Sequence, residues 1–60
     1  MTTPVEELAH DFNNLLLAIS ANAEALAETL EGEQREDAEQ IRECAERAKE
    51  LVQRLVSISS

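Results

Sequence analysis

Residues 26–38 read LAETLEGEQREDA and contain Gly32, the only glycine of this 60-residue chain. Gly32 follows the last apolar residue of one helical pattern, where a left-handed C-terminal cap is favoured. A second helical pattern starts within a few residues. We therefore expect helix one at about 4–31, a turn near Gly32 and helix two at about 34–59. A turn this short makes the two helices antiparallel neighbours.

Helix one has a recognisable start. Thr3 can cap the free backbone amides, Pro4 suits the first helical position, and Glu6 can complete a capping box. The first helix should therefore begin near Pro4.

Both predicted helices carry a wide apolar stripe whose residues recur at alternating steps of three and four. In helix one the stripe comprises Val5, Leu8, Phe12, Leu15, Ile19, Asn22, Leu26 and Thr29, with Ala9, Leu16, Ala23 and Leu30 beside it. In helix two it comprises Ala38, Ile41, Ala45, Ala48, Val52, Leu55 and Ser59, with Cys44, Leu51 and Ile58 beside it. One hairpin leaves much of each stripe uncovered. The predicted fold is all-α: an antiparallel two-helix hairpin, one unit over residues 1–60, that homodimerises into a four-helix bundle.

Composition excludes several classes of partner. Thirteen acidic and five basic residues give a net charge of −8, which repels phosphate backbones and anionic lipid headgroups. No apolar run approaches the roughly 20 residues needed to cross a bilayer. The sequence therefore predicts no nucleic-acid binding and no membrane insertion. Cys44 has no second cysteine to pair with, which is typical of a small buried residue in a reducing compartment and predicts a cytoplasmic location.

The only histidine, His10, lies on the side of helix one farthest from the stripe, so we expect it to be exposed. Asn14, Leu17 and Ala21 fall within about 40° of it around the helix. An ordinary surface histidine is the plain interpretation of this position. The exposed apolar Leu17 beside a titratable side chain favours a docking surface instead.

The sequence of residues 8–28, LAHDFNNLLLAISANAEALAE, resembles the phosphoacceptor box of bacterial sensor histidine kinases, in the subgroup whose first dimerisation helix reads H-D-F-N-N-L-L. Residues 51–59, LVQRLVSIS, are similar to the L-x-x-x-L-L-x-F-S close of the same domain, with Val56 and Ile58 replacing its Leu and Phe. The resemblance covers nearly the whole chain. It implies a dimerisation and histidine phosphotransfer domain.

The resemblance also implies roles for single residues. His10 corresponds to the histidine that accepts phosphate from ATP and passes it to an aspartate of a response regulator receiver domain. Asp11 corresponds to the acidic neighbour that hydrogen-bonds the other ring nitrogen and acts as a general base. Asn14 corresponds to the residue that orients water in phosphatase-competent relatives. Leu17 and Ala21 are expected to bind the partner, Phe12 is expected in the core, and Asn13 has no assigned role.

The chain also departs from a full kinase. With Gly32 as its only glycine it has no glycine-rich loop, so an ATP-binding domain is not expected here and the chain is not catalytically autonomous. We expect ATP and Mg²⁺ to come with the kinase's ATP-binding domain, and no cofactor or metal to be bound by this chain. Two alternatives stay open: a free-standing histidine phosphotransfer protein of a phosphorelay, or a helical dimerisation module in which His10 has no chemistry.

Overall fold

The computed structural model describes residues 3–59, which form two helices and no strands. Helix α1 spans Pro4–Thr29 and helix α2 spans Gly32–Ser59. The two pack along each other as a hairpin measuring 46 × 16 × 9 Å. The predicted all-α two-helix hairpin is thereby confirmed. Neither helix has a stretch long and apolar enough to span a membrane within the described residues.

Helix α1 begins at Pro4, as its capping residues indicate. The Thr3 hydroxyl accepts a hydrogen bond from the Glu6 backbone amide at 3.1 Å, and the Thr3 carbonyl accepts one from the Glu7 amide at 3.0 Å. These bonds satisfy amides that have no partner inside the helix. His10 therefore sits two turns inside a helix whose start is fixed.

The turn differs from the sequence prediction. Helix α1 ends at Thr29, two residues before the expected end, and Leu30 caps it in an extended conformation. The Leu30 amide donates a hydrogen bond to the Leu26 carbonyl at 3.0 Å. Gly32, expected as the cap of helix one, is instead the first residue of α2, with φ of 63°. Because Leu30 already turns the chain away from the helix axis, Leu30 and Glu31 complete the connection and α2 starts earlier than residue 34.

The helices meet along a line of mostly small side chains, which we call the inner seam. Its buried residues are Ala9, Leu16, Ser20 and Ala23 of α1 with Ala38 and Ala45 of α2. Ala9, Leu16 and Ala23 were expected only beside the stripe of helix one. Small side chains allow close approach of the two backbones, so the hairpin closes along them rather than along the larger residues.

The large apolar residues lie beside the inner seam, on a surface that we call the outer face. Its exposed members are Leu8, Phe12, Leu15, Ile19 and Leu26 of α1 with Ile41, Leu51, Leu55 and Ile58 of α2. The expectation that Phe12 is in the core is wrong for the single hairpin, where it is 54% exposed. The expectation of a buried Cys44 is also wrong, since this residue is exposed. Both corrections have one cause: no second layer covers this side of the hairpin.

Candidate functional site

His10 projects from α1 into solvent. Its side chain is 77% exposed, which confirms the exposure predicted from its helical position. Since no element within residues 3–59 covers the ring, an approaching domain can reach the imidazole. The expected chemical role of His10 itself stays a prediction.

Asp11 lies beside the imidazole but does not hydrogen-bond to it. Its Oδ1 is 3.9 Å from His10 Nδ1, and its side chain is 80% exposed. That separation exceeds a hydrogen bond by about 1 Å. Because both side chains are exposed, small rotations about their side-chain bonds can close the gap. The geometry therefore places the carboxylate on the Nδ1 side of the ring, while its role as a base stays a prediction.

The surface around His10 is acidic. His10 and Asp11 line a shallow depression together with Glu6 and Glu7. Helix α1 itself contains no Lys or Arg. Within residues 3–59 no group of three or more His, Cys, Asp or Glu side chains is arranged to hold a metal ion. A phosphorylated ligand approaching His10 therefore meets negative potential, which cations brought by a partner can offset.

A second groove adjoins His10 on the side facing α2. It is lined by Glu6, Ala9, His10 and Asn13 from α1 and by Gln53 and Val56 from α2. Asn13 is half-buried, and its Oδ1 is buried without a hydrogen-bond partner. The sequence reasoning gave Asn13 no role. Residue 13 lies seven before Ser20 and so shares its side of the helix, but only the structure shows that Ser20 is buried.

Asn14, Leu17 and Ala21 are all exposed. With His10 they form one surface of α1, which we call the histidine face. It lies about 150° around the helix from the outer face. Leu17 is therefore an exposed leucine outside the outer face. The expected partner binding by Leu17 and Ala21, and the expected role of Asn14, stay predictions.

The family comparison points to the same histidine-bearing hairpin. The model of the His Kinase A (phospho-acceptor) domain matches residues 5–60, which include α1 from its second residue onward, the turn and α2. No curated protein and no solved structure matches the chain. Since the family match covers nearly the full length, the chain belongs to the His kinase A (phospho-acceptor) domain family.

Proposed function

We propose that this chain is the dimerisation and phosphoacceptor domain of a sensor histidine kinase. His10 accepts a phosphoryl group from ATP held by a separate ATP-binding domain and passes it to an aspartate of a response regulator receiver domain. The observation that carries this proposal is the exposed His10 within a phospho-acceptor family match over residues 5–60. The coarser role in histidine kinase signalling follows from family membership.

The position of Asp11 supports Nε2 as the reacting nitrogen of the His10 ring. Asp11 Oδ1 lies on the Nδ1 side of the imidazole, 3.9 Å away, so a proton held at Nδ1 has an acceptor nearby. Nε2 then carries the lone pair. In the proposed step Nε2 bonds to the γ-phosphorus as the bond to the departing ADP oxygen breaks. Asp11 takes up the Nδ1 proton, which prevents a positive charge from remaining on the ring.

The outer face supports dimerisation. Near the His10 end it forms an apolar groove between the helices, lined by Val5, Leu8, Ala9, Phe12, Leu51, Val52 and Leu55. Such a large exposed apolar surface is typical of an interaction site. A second hairpin, packed on this side, buries both stripes and gives the four-helix bundle. The histidine face points away from this interface, so His10 stays accessible in the dimer.

The histidine face is the proposed contact for the receiver domain. Leu17 supplies an apolar anchor about one heptad from His10, and Ala21 leaves room beside it. Asn14 lies one turn after His10, where its amide can orient water towards the receiver's phosphoaspartate. ATP and Mg²⁺ belong to the partner domain. We place the reaction in the cytoplasm, where ATP is available and Cys44 stays reduced.

Phosphoryl transfer to the chain tests the proposal. The chain is incubated with a histidine kinase ATP-binding domain, Mg²⁺ and radiolabelled ATP, and the label is followed after acid and base treatment. We expect acid-labile, base-stable label on His10, and none on His10→Gln. The matched control is Gln34→Ala. Gln34 is exposed near the start of α2, next to the turn, and this variant should be labelled like the native chain.

Each alternative predicts a different outcome. A free-standing phosphotransfer protein takes label from a phosphorylated receiver domain but not from ATP-binding domains. A dimerisation module without chemistry takes label from neither. Acid-stable label, or label that persists in His10→Gln, places the phosphate on another residue and contradicts the assignment of His10.

A further inference from the structure

Asn13 presents a buried acceptor without a donor. Its half-buried side chain lines the groove between the helices, and the buried Oδ1 accepts no hydrogen bond from a described residue. Burying such an oxygen unpaired costs the full free energy of removing it from water. Buried polar atoms of this kind are rare in folded proteins, because most have a partner. An arrangement that brings a hydrogen-bond donor to this oxygen therefore stabilises the folded chain.

Gln53 offers a hydrogen-bond donor in the same groove. It lines the same groove as Asn13 and His10, and its side-chain amide carries two N–H donors. It is exposed on α2, and its side chain makes no hydrogen bond with any described residue. Gln53 also shares this groove with Ala9, which lies one turn before Asn13 on α1. Side chains lean towards the N-terminus of their own helix, so in an antiparallel pair these two amides lean towards each other.

We propose that Gln53 donates a side-chain hydrogen bond to Asn13 Oδ1, and that this inter-helix bond makes Asn13 a positioning residue for His10. Asn13 lies three residues after His10, and both line one groove. A bond from α2 to this turn of α1 fixes the rotation of the helix at the histidine. It also holds the Gln53 side chain over Asn13 and away from the imidazole. Its consequence for phosphoryl transfer rests on the proposed function.

The hydrogen bond is tested without phosphate. In the isotope-labelled dimer, we expect the Gln53 side-chain N–H to exchange slowly and to lose that protection in Asn13→Ala. The exposed Gln34 amide is the internal control and should exchange fast. Asn13→Ala and Gln53→Ala should each change the unfolding equilibrium constant about fivefold, and the double variant no more than either. Additive effects, or a Gln53 amide as fast as Gln34, overturn the bond and indicate that water satisfies Asn13.

The positioning role needs a measurement at the ring. We expect the ¹⁵N chemical shifts of the His10 imidazole to move in Asn13→Ala and Gln53→Ala while both variants stay folded, and not in Gln34→Ala. The exchanged pair Asn13→Gln with Gln53→Asn should restore them. Unmoved shifts in a chain that has the bond overturn the positioning role.

Phosphoryl transfer separates this inference from the function it rests on. Transfer should fall about tenfold or more in both single variants and recover in the exchanged pair, because small displacements of a reacting group are costly. If the native chain accepts no phosphate, the proposed function fails, while the exchange and shift measurements still decide whether Asn13 orients the ring.

Discussion

The inner seam and the outer face run side by side along the same two helices, yet they differ in side-chain size. The inner seam is closed by four alanines, one serine and one leucine, whereas the outer face is built from leucine, isoleucine and phenylalanine. Small residues bring the helices close but bury little apolar area. Large residues offer much area and remain uncovered. The hairpin is therefore shaped by the inner seam, and most of its available hydrophobic stabilisation lies on the outer face.

Three consecutive leucines sample the three surfaces of α1. Leu15 lies on the outer face and is 64% exposed, Leu16 lies in the inner seam and is 8% exposed, and Leu17 lies on the histidine face and is 57% exposed. The three residues are of one type and adjacent in one helix. Differences between their variants therefore report the surface on which each side chain lies. They give the sharpest tests of the comparison.

Leu15→Glu should have the largest effect. If a second hairpin covers the outer face, each copy buries an unpaired carboxylate, and the dimer loses roughly 6 kcal/mol from two charges of about 3 kcal/mol each. Sedimentation equilibrium at micromolar concentration should give about twice the 6.7 kDa chain mass for the native chain and monomer for the variant. Leu17→Glu is the matched control and should remain a dimer. If the native chain is folded and monomeric at these concentrations, the outer face is not a dimer interface and the predicted difference between Leu15 and Leu17 is wrong.

Leu16→Ala tests the inner seam. Removing this buried side chain should lower the free energy of unfolding by about 3 kcal/mol, because the hole left between the helices cannot fully close. Urea denaturation, at one fixed chain concentration, measures the change. Leu17→Ala should alter the same free energy by no more than about 0.5 kcal/mol. Equal losses at both positions mean that α1 is rotated relative to the arrangement described here.

Periodicity predicted the hairpin and the exposure of His10. A side chain opposite a continuous apolar stripe faces solvent once that stripe is packed against another helix. It did not predict which edge of that stripe closes the hairpin. Periodicity placed Leu15 in the stripe and Leu16 only beside it, although the two side chains are equally hydrophobic. Side-chain size decides: Ala9 and Ala23, on the same edge as Leu16, permit the closest approach to α2.

The rotation of α1 against α2 also accounts for Phe12, which sequence reasoning misplaced, and for Asn13, to which it assigned no role. Phe12 lies on the outer face, and its burial depends on a second copy that a single chain does not contain. Asn13 lines a groove with residues of α2, although nothing in its local sequence distinguishes it from an exposed polar residue. Neither environment is encoded by local pattern, since each depends on how α1 is rotated against its neighbour.

Asp11→Asn should separate chemistry from packing on the histidine face. Losing a general base should slow phosphoryl transfer about 10²-fold, equivalent to about 2.7 kcal/mol in the barrier. Stability should stay unchanged, since the side chain is 80% exposed. Single-turnover transfer to His10 measures the rate. Asp37→Asn, the only other aspartate and an exposed one near the turn, should transfer at the native rate. A parallel loss in both variants reflects net charge rather than a base beside the imidazole.

Gly32→Ala should have the smallest effect and tests the turn, which belongs to neither surface. Gly32 has φ of 63°, a conformation that costs a residue with a Cβ about 1 kcal/mol. A Cβ added there meets nothing within 4 Å, so no steric clash adds to this cost. Gly32→Asn should lose less than Gly32→Ala, because asparagine tolerates the left-handed region better. Urea denaturation of the two variants at equal concentration gives the ranking. If alanine costs nothing, the backbone at residue 32 relaxes into an ordinary helical conformation, and the connection is then set by Leu30 and Glu31 rather than by the glycine.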